Sequence, residues 1–174
     1  MRISDWSSDV CSSRSVSQSR YPNWDQYPEW FVTICTDTPK VNSLCTHGVA
    51  ESLLGGIGEY HQKFKWFADI AVLMPDHIHL IISVSRMIIL SEVIRSFKRW
   101  AARDLKISWQ KGFFEHRLRS YSSANQKYKY VLNNPVRAGF VKSPEEWPFT
   151  FIGRNRDCGR LGTTAPTESR FPAR

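Results

Sequence analysis

The chain has 174 residues, enough for one domain with a real core, and 41% of them are hydrophobic, so neither wholesale disorder nor a fibrous repeat fits. Lysine and arginine number 24 against 16 acidic residues, a formal charge of +8, which favours a polyanionic partner without naming one. No apolar run approaches the roughly 18 residues of a membrane-spanning helix, and four scattered cysteines (Cys11, Cys35, Cys45, Cys158) without a C-x-x-C pair or secretory signal read as reduced thiols of a cytoplasmic protein.

The two ends differ from the middle. Eight of the first twenty residues are serine, and residues 5–13 look like a translated sequencing-adapter oligonucleotide. Residues 1–20 are therefore expected to be non-native or disordered, with the native start missing or replaced. Residues 153–174 are aperiodic and rich in Gly, Thr, Arg and Pro, and are expected to be a disordered tail. This leaves residues 21–152 as the folded domain.

Within it, residues 30–36 are β-branched and aromatic and predict a strand. Apolar residues near helical spacing predict a helix over 49–64, although Gly55, Gly56 and Gly58 weaken it. Residues 65–74 predict a second strand with Trp66, Ala68, Ile70, Val72 and Met74 on one parity. Pro75-Asp76 breaks it, and residues 77–84 predict a third. A helix follows over 90–106, with Val93, Ile94, Phe97, Trp100, Ala101 and Leu105 on one side, then a strand over 113–119. Ser122 or Ser123 is expected to cap a last helix running to about residue 134. The order β-α-β-β-α-β plus a C-terminal helix is the ferredoxin-like order, an α+β fold on an antiparallel sheet.

The third strand carries the sharpest signal. Ile78, Leu80, Ile82 and Val84 share one face and His77 and His79 the other, about 6–7 Å apart along the strand, so both imidazoles can reach one metal ion. The pattern is short, and two polar residues on an open sheet face would read the same. On the last helix Tyr130, Asn134 and Lys127 share a face. Tyr130 is a candidate nucleophile if a metal or a cation assists it, and Asn134 offers an amide oxygen as a third ligand. A half-buried aromatic is an equally open reading of Tyr130, and for Asn134 a helix cap before Pro135 is the plainer one.

Nine cations and three anions lie between Arg86 and Arg119, with Trp100, Trp109, Phe113 and Phe114 interleaved. Cations that follow phosphates and aromatics that stack bases suit single-stranded nucleic acid, which makes Arg95, Lys98, Arg99, Lys111, Arg117, Arg119 and Lys127 candidate contacts; a solvated helix face over core aromatics is the plainer alternative.

Four segments in order, Met74-Pro75-Asp76-His77-Ile78-His79-Leu80, Ile94-Arg95-Ser96-Phe97-Lys98, Trp109-Gln110-Lys111-Gly112-Phe113-Phe114-Glu115-His116 and Tyr130-Val131-Leu132-Asn133-Asn134-Pro135-Val136-Arg137-Ala138-Gly139, resemble the REP-associated tyrosine transposases, single-tyrosine HUH transposases of insertion-sequence type. Trp147-Pro148-Phe149 resembles the family's closing motif. The resemblance spans roughly residues 30–151 and is weakest over 30–65.

The resemblance implies a divalent cation, Mg²⁺ or Mn²⁺, held by His77, His79 and Asn134, with Tyr130 as nucleophile. It further implies cleavage and rejoining of single-stranded or hairpin DNA of the REP-like repeat kind through a 5′-phosphotyrosine, by a monomer or a homodimer. His116 falls inside a family segment without a role that chemistry assigns. A catalytically silent hairpin binder of the same fold is the nearest alternative. An RNA-binding ferredoxin-like module fits less well, because it expects exposed aromatics on the central strands, and the third strand offers His77, His79, Ile81 and Ser83.

Overall fold

The computed structural model describes residues 27–153; the serine-rich start and the tail beyond residue 153 lie outside the described residues. Strand β1 (Glu29–Cys35) is followed by helix α1 (Val49–Gln62), the hairpin β2 (Phe67–Leu73) and β3 (His77–Ser83), helix α2 (Leu90–Asp104), strand β4 (Phe114–Leu118), helix α3 (Tyr121–Leu132), the short helix α4 (Asn134–Arg137) and strand β5 (Thr150–Ile152). The sheet runs β4-β1-β3-β2-β5, antiparallel throughout, which is the ferredoxin-like order with one strand added at the β2 edge. No helix among the described residues is long and apolar enough to cross a membrane.

One face of the sheet packs against α1 and α2. Helix α2 buries Leu90, Val93, Ile94, Phe97 and Ala101, a 3–4 residue spacing that lays one stripe on Val32, Ile34, Ile78, Leu80 and Ile82. One glycine of α1 has a packing reason: a Cβ on Gly56 would stand 2.3 Å from the Trp100 ring, so only glycine lets the indole lie across the helix. That close approach offsets the helix penalty that made the segment doubtful from its sequence.

The parity predicted for β2 breaks at a bulge between Ala68 and Ile70. Trp66 and Ala68 enter the α1–α2 core, whereas Ile70, Val72 and Met74 face the other way. One extra residue reverses the alternation, and no periodicity count reveals it.

The second sheet face is not open, as the strand reading assumed. Helix α3 covers part of it with Ala124, Tyr128 and Val131, against Phe31, Ile70, Val72, Ile81 and Leu118. The helix also starts earlier than expected. Ser120 is the cap, accepting a hydrogen bond from the Ser123 N–H while the Ser123 side chain reaches back to the Ser120 backbone, so Ser123 is the second half of a capping box rather than the cap. After α3 the chain makes α4 with Pro135 in its first turn and stops at Gly139, whose φ of +77° suits glycine. Asn134 begins α4 despite the bias that Pro135 imposes on it; Asn133 holds the cap position.

The Trp147-Pro148-Phe149 segment pins the far edge. The Trp147 indole donates to the Leu73 carbonyl at 2.9 Å, and the Leu73 N–H donates to the Phe149 carbonyl at 2.9 Å. This fixes the end of β2 just before the turn into His77.

Candidate active site

Along the α3 face, β1 and β3 change character halfway. Phe31 pairs with Ile81, but the next same-face pairs are Thr33 with His79 and Cys35 with His77. The apolar half holds α3; the polar half forms the site at the sheet's end.

The two imidazoles lie edge to face with ring centroids 4.6 Å apart. Each has its Nδ1 engaged. That of His77 is 2.7 Å from Asp76 Oδ1, and that of His79 is 2.9 Å from Thr33 Oγ1. These bonds fix the ring orientations, and wherever Nδ1 carries the proton, as toward the Asp76 carboxylate, Nε2 is the available electron pair. Burial, then the neighbouring His77 and Lys127 charges, push the His79 imidazole down to about 3, so it is neutral in ordinary buffer, the form a ligand requires. Burial alone would raise the Asp76 carboxyl. The 2.6 Å hydrogen bond from the Lys40 N–H and the bond from His77 outweigh it and hold the carboxyl below its usual range, as a charged acceptor behind His77.

Tyr130 stands over this pair. Its ring is 6.3 Å from that of His79 and 6.4 Å from Phe31, and the residue is 37% exposed, while Tyr128, two positions back on the opposite side of α3, is fully buried. Phe31 stacks on His79 at 5.4 Å and so forms the common floor. Lys127 Nζ lies 4.6 Å from the Phe31 centroid and 4.8 Å from that of Tyr130, and the Arg137 guanidinium also lies 4.8 Å from the tyrosine centroid. Both cations are within reach of an anion brought to the tyrosine.

Among the described residues no cluster of three His, Cys, Asp or Glu side chains forms a metal cage, so a cation on the histidine pair needs another kind of ligand. Asn134 has its amide nitrogen buried without a hydrogen-bond partner. The two ends of an amide are interchangeable by rotation, and turning it puts an acceptor oxygen in place of that nitrogen. As donor types, two imidazole nitrogens and an amide oxygen suit a borderline divalent ion such as Mn²⁺, and Mg²⁺ less tightly.

The remaining predicted contacts do not gather here. Arg95, Lys98, Arg99 and Lys111 line a cavity of about 450 Å³ between α2 and residues 107–113, on the other side of the sheet. Lys98 has a structural duty: its ammonium donates to the carbonyls of Gln110 (2.7 Å) and Gly112 (2.8 Å). Arg117 lies on the edge strand opposite Trp30, and Arg119 follows that strand. His116 pairs with Phe31 on β4, two residues beyond Phe114 on the site's own face.

Sequence reasoning missed Thr33, Phe31, Asp76 and Arg137 as members of the site. Asp76 sat beside His77 and Arg137 inside a noted segment. Thr33 and Phe31 are defined only by strand register, which the sequence does not display.

A β4-β1-β3-β2 sheet with a paired-histidine strand facing a helix-borne tyrosine narrows the class considerably. The family described as "Transposase IS200 like" matches residues 32–134, and the chain belongs to it. An Escherichia coli (strain K12) protein, the REP-associated tyrosine transposase, is 32% identical over 92 residues, covering 48% of this chain and 53% of that protein. The chain thus spans about half the length of that relative. The solved structure of a REP-associated tyrosine transposase bound to a REP hairpin shares the fold, with a TM-score of 0.63 at 24% identity over 78% of this chain and 82% of that one.

Proposed function

We propose that this chain is a metal-dependent DNA transposase that cleaves and rejoins single-stranded hairpin DNA through a 5′-phosphotyrosine on Tyr130. The observation that carries the reading is the position of Tyr130, half exposed beside the His77–His79 pair and flanked by two cations.

In the proposed reaction Lys127 and Arg137 hold the anionic oxygens of the scissile phosphate against the tyrosine. Tyr130 Oη attacks phosphorus in line, loses its proton to solvent, and forms a bond as the bond to the 3′ oxygen breaks. The departing oxygen takes up a proton and becomes a free 3′-hydroxyl. The phosphotyrosine conserves the bond energy, so a 3′-hydroxyl can later attack it, rejoin the strand and return the phenol. His77, His79 and Asn134 would hold a divalent cation, which supplies Lewis-acid neutralisation of charge on the phosphate when bound. Asp76 and Thr33 keep the two imidazoles turned for that purpose.

The family membership, the E. coli relative's name and the hairpin-bound neighbour's title all support the reading. The test is a denaturing gel of protein mixed with labelled hairpin DNA and Mn²⁺. The wild type is expected to give a covalent adduct and Tyr130→Phe none. An adduct that survives Tyr130→Phe, or none with the wild type, contradicts it.

A further inference from the structure

The cavity between α2 and residues 107–113 lies across the sheet from Tyr130, so it cannot hold the phosphate that the tyrosine attacks. Its composition nevertheless suits a nucleotide. Four cations line it (Arg95, Lys98, Arg99, Lys111) and no carboxylate does, while Trp109 and Phe113 supply aromatic walls. Arg95, Arg99 and Lys111 have no ion-pair partner among the described residues. A concave space of about 450 Å³ is of small-ligand size, enough for one base and its phosphate, whereas a duplex backbone is convex and fits a flat basic surface better.

The connection between the two faces runs along the edge strand. Phe113 lines the cavity and packs toward the α1–α2 core. Phe114, the next residue, turns to the opposite face, is 58% exposed, and approaches the Phe31 ring at 6.0 Å, beside the tyrosine site. Strand β4 is the outermost strand, so nothing further along the sheet separates these two rings. A single strand that leaves the tyrosine site over this edge meets the exposed Phe114 on one side and the half-buried Phe113 on the other.

We propose that the cavity is a second nucleotide site, taking one unpaired nucleotide of the DNA strand several positions from the scissile phosphate, with the strand crossing the sheet edge at Phe113–Phe114. This rests on the reading of the chain as a single-strand DNA enzyme and adds where its substrate runs. Arg95 and Lys111 would grip the phosphate, and Trp109 and Phe113 would flank the base.

The test uses Tyr130→Phe protein throughout, so that binding is read whether or not cleavage occurs. Fluorescence anisotropy measures the affinity for a hairpin with an unpaired flank, with a single abasic position walked along the flank. One position is expected to cost roughly ten-fold, the value of one stacked base, and the others little. With Arg95→Ala/Lys111→Ala added, at two exposed positions, that position-specific penalty is expected to vanish. A penalty of equal size in both proteins, a flank whose positions are all equivalent, or equal affinity for a fully paired flank overturns the proposal.

Discussion

The core on the α1–α2 face of the sheet buries twenty side chains, among them Trp66, Phe97 and Leu80, whereas the core on the α3 face buries nine and the same face presents Thr33, Cys35, His77 and His79 at its end. The same strands build both faces, because alternate residues point opposite ways. Ile78 and Leu80 are fully buried in one core while His77 and His79, interleaved with them, face the tyrosine. The difference shows how a seven-residue strand anchors itself and presents a pair of imidazoles at once: the apolar parity holds the backbone still, and the polar parity is free to be chosen for chemistry. It also explains why the site lies at the sheet's end, where α3 no longer covers the strands.

If the faces are this distinct, damage to one should leave the other's property intact. The largest stability effect is expected from Phe97→Ala, about 3–5 kcal/mol by thermal or urea unfolding, because the ring is fully buried between Tyr60, Trp66 and Trp100. Tyr130→Phe is expected to shift unfolding by less than about 0.5 kcal/mol, since it alters a half-exposed position, yet to remove the covalent adduct altogether. Gly56→Ala tests the scaffold face more finely: its new methyl meets Trp100, and a loss of about 1–3 kcal/mol is expected by the same unfolding measurement.

Much of this division can be read from the chain before folding, but unevenly. The His77–Ser83 strand and the α2 stripe follow from strict periods of two and of three to four, and Tyr130 and Lys127 share a helix face by spacing alone. The bulge at Ala68/Ile70 and the three-residue β5 depend on tertiary pairing and leave no periodic trace. Gly56 read as a weak point because the residue that needs it, Trp100, is 44 positions away. The cation cluster was visible as composition, but its division between the tyrosine site and a cavity across the sheet was not, since charge counts carry no information about faces.

Smaller effects sharpen the site's half of the comparison. Thr33→Val removes the hydroxyl that orients His79 while keeping a β-branched strand residue. Mn²⁺ affinity, measured by titration of adduct formation, is expected to fall about 10–100-fold, with folding little changed. The smallest effect concerns Cys45, whose thiol burial pushes up to about 12. It stays protonated at pH 8–9, so iodoacetamide is expected to label the Cys45 peptide only after denaturation, as mass spectrometry would show.

Peptide mapping of the DNA-linked protein tests the central claim most directly. Trypsin cuts after Lys129 and Arg137 and so isolates Tyr130 from Tyr128 and Tyr121. The account predicts that the nucleotide mass rides on the peptide that begins at Tyr130. A nucleotide on Tyr121, Tyr128 or any other residue would contradict it.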